Sequence, residues 1–438
     1  MGRSRLLFYL VSLLVSATSD YHNTSRRVCD LKGIVDDCVC DVETTNRLNA
    51  VHIYPKLKRL LERDYFRYFK VDLTKSCLFW PDDGRCVLRD CSVESCPIDE
   101  LPRGLVDDGY DCEHNNEKQF LSEVDQSVSE REQVAFATWD NHDDAAPENF
   151  CELDDERSDA TLYVDLLKNP ERYTGYAGAS PRRVWRSIYE ENCFPNGRPK
   201  VYSRFTPSGL CREERVFYRA ISGLHSSINI HLCAKYFHKG AGPFSKPTWS
   251  PNLSEFKRRF DSEMTRGRGP GWLKNLYMIY LLSLRAIVKA GSYLEKETFY
   301  TGNDEEDRRV KEDVLQLIES ARSCPGTFDE SDMFRGESAS LKEEFRLHFR
   351  NISRIMDCVG CDKCKLWGKL QTLGIGTGLK ILFSWELDQS RNVTQRFQLR
   401  RNEIVALFNV LGRFSSSINA LKTFRKLEEV INIRPKLT

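Results

Sequence analysis

An excess of charge of either sign is missing: 65 Lys+Arg stand against 64 Asp+Glu in 438 residues, a formal net charge of +1. Such a chain carries no overall field to hold a polyanion, which argues against a general nucleic-acid binder. The two apolar runs that read as candidate membrane spans are too short to cross a bilayer. The first run, Leu6–Val15, has ten residues; as a helix it reaches about 15 Å, half of a hydrocarbon core. The next, Leu276–Val288, is short and interrupted by Arg285. No repeat or low-complexity linker divides the chain, and alternating strand patterns are scarce. With 40% hydrophobic and 29% charged residues, the composition is that of a soluble globular protein.

Cysteine is what the chain has in abundance, with 16. A polypeptide of this length buries an adequate core without disulfide staples. So many cysteines therefore imply an oxidising compartment, redox chemistry, or both. The N-terminus speaks for the compartment. Arg3 and Arg5 precede Leu6–Val15, and Ser16-Ala17-Thr18-Ser19 follow. Charged start, short apolar stretch and small-residue exit are the parts of a secretory signal peptide, expected over residues 1–19. Sequons at Asn23, Asn252, Asn351 and Asn392 agree with it. The end, Arg434–Thr438, is not a KDEL-type retrieval signal, so residence in the endoplasmic reticulum would need a partner that carries one.

Residues 20–438 read as a single domain. Between Asp99 and Asp159 stand 20 Asp+Glu and four Lys+Arg, so 99–159 is expected to be a long, solvated, mobile loop. Beyond it the pattern is helical. Trp185, Ile188 and Tyr189 recur at 3–4 spacing, as do Val216, Phe217, Ala220, Ile221 and Leu224. Leu276–Val288 is apolar nearly all round and predicts a buried central helix. Leu341, Phe345, Phe349, Ile352 and Met356 form a stripe leading into Cys358, and Ile404, Leu407, Phe408 and Leu411 begin another helix. Val39–Val42 and Phe69–Leu73 are expected as short strands. The predicted fold is mainly α: a helical core with a disulfide-rich N-terminal cap and a long acidic loop.

The densest chemical signal is Cys358-Val-Gly-Cys361-Asp-Lys-Cys364. A C-x-x-C at a helix start brings two sulfurs within bonding reach. The free N–H groups and the dipole there lower the thiolate pKa, and Lys363 and Lys365 add positive charge. Three other readings compete. An iron–sulfur cluster would want a further Cys-Pro where Gly368-Lys369 stand. Zinc would want a second C-x-x-C or a His pair, and His348 is alone, so no metal is expected. A structural disulfide remains open. The glycines Gly374, Gly376 and Gly378 do not make a dinucleotide fingerprint. A second pair, Cys86 and Cys91, sits beside Pro81-Asp-Asp-Gly84 in an expected exposed turn. It could meet a partner protein and swing inward, or be another structural bridge.

Longer blocks carry a resemblance. Cys38–Thr45 (CVCDVETT), Leu60–Tyr68 (LLERDYFRY), Cys77-Leu-Phe-Trp80, Asn169–Tyr176 (NPERYTGY), Glu190–Phe194 (EENCF), Phe217–His225 (FYRAISGLH) and Leu347–Cys361 (LHFRNISRIMDCVGC) are similar to the endoplasmic reticulum oxidoreductins. The likeness covers nearly all of the chain after the leader. It implies a mainly helical, FAD-dependent thiol oxidase of the endoplasmic reticulum lumen, peripheral association with the luminal membrane face being compatible with it. Such an enzyme reoxidises protein disulfide isomerase and related thioredoxin-fold proteins and passes the electrons to molecular oxygen, giving hydrogen peroxide.

By position, the resemblance makes Cys361 and Cys364 the inner, flavin-facing pair and Cys86 and Cys91 the shuttle. Cys361 is expected to meet the shuttle and Cys364 the flavin. Cys77–Cys358 and Cys193–Cys211 are implied as bridges, and Cys96 and Cys112 as regulatory partners of the shuttle. Arg172, Thr174, Trp185, Ser222, His225 and Arg259 are implied as FAD contacts. Arginines can offset pyrophosphate charge, Trp185 can stack on a ring, and Ser222 and His225 share a helical face. The chain departs from the pattern at Arg27, where a cysteine is expected, so Cys40 lacks its usual partner while Cys233 and Cys324 are extra. A second FAD-contacting arginine falls at Trp272; Arg266 or Arg268 is the expected substitute. The competing class is a non-enzymatic, disulfide-rich secreted binding protein.

Overall fold

Apolar residues at 3–4 spacing become helices that bury those faces on one another. The computed structural model describes residues 31–81, 86, 89–106, 150–151, 160–171, 179–194, 210–238, 242, 245, 248–324, 326–384 and 399–433. The expected leader and most of the acidic segment lie outside them. Among the described residues 66% are helical and strands are few, the mainly α fold the periodicity predicts.

The cap begins with α1 (Val42–Leu48) and α2 (Tyr54–Leu60), joined by a π-helical turn, Asn49–Ile53. Val39–Val42 is not a strand. Asp41 accepts a hydrogen bond from the Thr44 amide and caps a helix that starts at Val42. Only isolated bridges, Ile34 with Asp41 and Cys38 with Phe328, remain of the extended pattern. The second expectation fares better: β1 (Tyr68–Val71) pairs antiparallel with β2 (Leu162–Asp165). Arg215 and Arg219 reach Asp37 and Asp36 at 2.8 and 3.1 Å, tying the cap to the helical core.

After α3 (Ala179–Arg186) and the π-helical turn Ser187–Glu191, the core is built from α4 (Arg212–Ala234), α5 (Leu253–Phe260), α6 (Gly269–Lys289) and α7 (Asp304–Arg322). It is completed by α8 (Leu341–Ile355), α9 (Asp362–Ser384) and α10 (Arg401–Ile433). Helix α6 is the buried centre the sequence predicts. Two glycines let helices touch backbone to backbone. A Cβ on Gly223 of α4 would lie 2.4 Å from the Asn275 carbonyl oxygen of α6. One on Gly374 of α9 would lie 2.3 Å from that of Ala406 on α10. Phe217, Phe345, Phe334 and Phe383 fill the space between helices edge to face. Among the described residues one helix, Arg401–Ile431, is long and apolar enough to cross a membrane. Its apolar stretch is 78% buried against the other helices, as a core helix is.

Candidate active site

The C-x-x-C sits where a helix begins. The Cys361 carbonyl accepts the Lys365 amide at 2.8 Å, the first bond of α9, so Cys361 is its N-cap and Cys364 lies in the first turn. The two are hydrogen-bonded and not joined as a disulfide. The Cys361 thiol is pulled below its ordinary pKa, first by the hydrogen bond from Cys364. Burial opposes this, and the Cys364 and Lys363 amides support it. Lys365 does not serve as expected. Its ammonium is buried and donates to the Leu73 and Lys75 carbonyls at 3.3 and 3.1 Å. Lys369 holds the Asp72 carbonyl at 2.8 Å and Asp357 at 2.7 Å. Both lysines thus fasten the strand leaving the cap to the helix bearing the thiols.

That strand ends in the Cys77–Cys358 disulfide, which spans 281 residues. Cys86 and Cys91 are bonded to each other. The Cys86 amide donates to the Gly360 carbonyl at 2.8 Å, and a 3-10 turn, Arg89–Cys91, follows. The Sγ atoms of Cys86, Cys91 and Cys361 all lie within 4.8 Å of one another. Joined as a disulfide, two of these sulfurs are not thiolate ligands for a metal. Cys91, Cys361 and Cys364 are buried, while Cys86 is half-buried and the most open of the four.

Asn169 fixes this arrangement and was not singled out from the sequence. Its amide oxygen accepts the Glu94 N–H at 2.8 Å and its NH2 donates to the Glu94 carbonyl at 2.7 Å. Its own carbonyl accepts Trp367 Nε1 of α9 at 2.8 Å. One residue therefore clasps the segment after Cys86–Cys91 and the helix that carries Cys364. Cys96 lies on the same segment, its amide 2.9 Å from the Tyr163 carbonyl. Cys112 lies outside the described residues. Cys193 and Cys211 are not bonded to each other. Cys211 caps α4 by accepting the Glu214 amide, and Cys193 donates to the Ile188 carbonyl at 3.2 Å.

A second constellation gathers the other expected residues. Trp185 and His225 stack with ring centroids 3.7 Å apart, and Tyr189 OH lies 3.2 Å from His225 Nδ1. Burial, then the nearby Arg259 charge, lowers the His225 pKa to about 3, so the ring is neutral at physiological pH. Ser222 lies one turn earlier on α4 and accepts from Asn275 at 2.9 Å. Arg259 bonds Asn229, one turn beyond His225, and Glu255 at 2.7 Å. Tyr189 was read from the sequence only as part of a helical stripe with Trp185, and Asn229 was not singled out; its one available signal was 3–4 spacing from His225. Arg172 and Thr174 lie outside the described residues. Their neighbour Glu171 is buried; it pairs with Arg413 of α10, accepts from Gln371 of α9 and lies against His231 of α4. Arg268 lies over Trp272, its guanidinium 5.6 Å from the ring centre, while Arg266 is exposed with φ 55°.

The family model for Endoplasmic Reticulum Oxidoreductin 1 (ERO1) matches residues 52–421. The chain belongs to this family. It is an ERO1 oxidoreductin acting on protein disulfides, which displaces the non-enzymatic alternative. It is 46% identical to the Ero1-like protein of Drosophila melanogaster, over 93% of this chain and 92% of that one. With ERO1-like protein alpha of Rattus norvegicus the identity is 47%, over 92% of each. With endoplasmic reticulum oxidoreductin-1 of Caenorhabditis elegans it is 45%, over 97% and 95%. The solved structure of Ero1p, described as a source of disulfide bonds for oxidative protein folding in the cell, superimposes with a TM-score of 0.60. It is 29% identical, with 90% of this chain and 99% of that one covered. A double-cysteine mutant of the Saccharomyces cerevisiae protein gives 0.61 at 30% identity, covering 89% and 99%.

Proposed function

We propose that this ERO1 protein is the FAD-dependent thiol oxidase of the endoplasmic reticulum lumen that reoxidises protein disulfide isomerase and related thioredoxin-fold proteins, with O2 as final acceptor. The observation that carries the reading is the proximity of Cys86, Cys91 and Cys361 sulfurs, all within 4.8 Å of one another. Exchange proceeds by thiolate attack on a disulfide sulfur. A reduced isomerase dithiol first converts Cys86–Cys91 to thiols and leaves as a disulfide. One shuttle thiolate then attacks Cys361 in a Cys361–Cys364 disulfide, releasing the Cys364 thiolate. The second shuttle thiolate attacks the mixed disulfide and releases Cys361. Two electrons have moved inward, and the outer pair is again oxidised. An outer disulfide over an inner dithiol is what that exchange would leave, and the bonding of these four cysteines is compatible with it.

The residues of the second constellation fit a dinucleotide. Trp185 and Tyr189 offer aromatic faces, Ser222 a hydroxyl, neutral His225 a ring nitrogen and Arg259 a cation, all half-buried. Arg268, held over Trp272, supports a phosphate-facing charge there in preference to Arg266. Bound FAD would accept the two electrons of the inner dithiol and deliver them to O2 as hydrogen peroxide. This chain's part is to hold Cys364 and the cofactor on helices that Glu171 joins. Purified full-length protein should show flavin absorbance near one equivalent. Cys364→Ser should keep the flavin and lose oxygen consumption with reduced isomerase. A colourless preparation, or normal turnover by the variant, would refute the proposal.

A further inference from the structure

Three cysteines stand at the start of the chain after the expected leader, Cys29, Cys38 and Cys40, an odd set that cannot be paired within itself. The fold brings a fourth beside them from far along the sequence. The turn after α7 runs alongside the cap: the Val39 amide donates to the Thr327 carbonyl at 3.4 Å, and Cys38 forms a β-bridge with Phe328. The approach is close, since a Cβ on Gly326 would lie 2.7 Å from Val39 Cβ. Within this juncture the Cys40 and Cys324 thiols lie close enough that each shifts the other's pKa. Each sulfur is also held by its own surroundings. Thr45 Oγ1 donates to Cys40 Sγ at 3.4 Å, and Cys324 Sγ lies 3.2 Å from the Gly326 carbonyl.

We propose that Cys40 and Cys324 form a disulfide that fastens the N-terminal cap to the C-terminal end of α7. Two neighbouring thiols on segments held together by backbone contacts have the placement that bond formation requires, and a secretory chain meets disulfide-carrying oxidoreductases as it folds. Of the other unplaced cysteines, Cys233 is buried in α4 with Arg259, Glu255 and Arg258 of α5 as its charged neighbours, and Cys151 donates to the Thr372 carbonyl of α9 at 3.1 Å.

The chemistry is ordered by the site. Cys324 is the more exposed of the two and meets the donor. It loses its proton to solvent, and its sulfur attacks a disulfide of a luminal oxidoreductase, giving a mixed disulfide and one donor thiolate. Cys40 then loses its proton and attacks the Cys324 sulfur, expelling the second donor thiolate. The two cysteines lose two protons and two electrons, and the donor leaves as a dithiol. The bridge does not depend on the flavin or on the shuttle pair.

The test uses full-length protein made in a eukaryotic secretory host, with thiols blocked by N-ethylmaleimide before lysis. Digestion without reductant and mass spectrometry should recover the Cys40 peptide joined to the Cys324 peptide. Recovery of both cysteines as the maleimide adduct, or of Cys40 joined to Cys29 or Cys38, overturns the proposal. Thiol titration of the denatured proteins gives a second readout with an opposite sign for the two cases. Cys324→Ala should raise the count by one, because Cys40 is released. Without the bridge the count falls by one.

Discussion

At the scale of single residues, the sulfur of Cys361 is a helix cap. Ser or Asp at this position would accept the same amides; a thiol does so best when ionised. The hydrogen bond from Cys364 acts in the same direction and is the larger effect. The thiolate of Cys361 should therefore exist at lower pH than that of an ordinary thiol, about 8.5. In reduced protein, the rate of iodoacetamide labelling at Cys361, followed by mass spectrometry, should reach half its plateau below that value. Cys364→Ala removes the donor that favours the charged form, so its midpoint should move upward. A wild-type midpoint at or above 8.5, or no movement in the variant, would contradict the assignment. The helix start was legible in the C-x-x-C because it depends on neighbours in sequence. The neutrality of His225 was not, because burial and an arginine 34 positions away in sequence (259 − 225) decide it.

At the scale of elements, the long helices follow from periodicity. The stripe Leu341 to Met356 becomes α8 and a 3-10 turn ending at Cys358. Short elements were harder. Val39–Val42 has the branched residues of a strand, but Asp41 and Thr44 form a local cap that starts a helix instead. Contacts that join elements leave no local trace. Asn169 lies in a recognisable block, yet its partners Glu94 and Trp367 are 75 and 198 residues away. It is fully buried, so truncation would strand several backbone groups, each costing about 1–3 kcal/mol. Asn169→Ala should therefore loosen the segment carrying Cys91 and Cys96 while leaving α9 folded. Hydrogen–deuterium exchange should rise at residues 91–96 and stay low in α9 beyond Trp367. Uniform exchange across both, or none in either, would remove Asn169 from its role as a clasp.

At the scale of the whole molecule, Cys361 and Cys364 are closed in, and the proposed shuttle pair lies over them. Cys361 and Cys364 are each only 4% exposed, beneath Cys91 at 1%, whereas Cys86 is half-buried. The Cys77–Cys358 bridge holds this lid in register from both sides, and closing a loop of that length contributes about 5–6 kcal/mol in the chain-entropy model. No spacing rule announces that residues 86 and 361 meet, since the encounter is created by the bridge, the lysine–carbonyl bonds and Asn169 together. Access then decides which substrates need the shuttle. On the function proposed, a folded isomerase would carry its thiols on a domain too large to reach a buried pair, and its electrons would arrive through Cys86 and Cys91. A small dithiol can diffuse to the inner pair when it forms a disulfide. Cys91→Ala leaves the inner pair intact and removes the resolving sulfur of the outer one. Oxygen uptake with reduced isomerase should fall by at least about tenfold, while uptake with dithiothreitol falls much less. Equal losses with the two substrates would mean that Cys86–Cys91 holds the lid in place and carries no electrons.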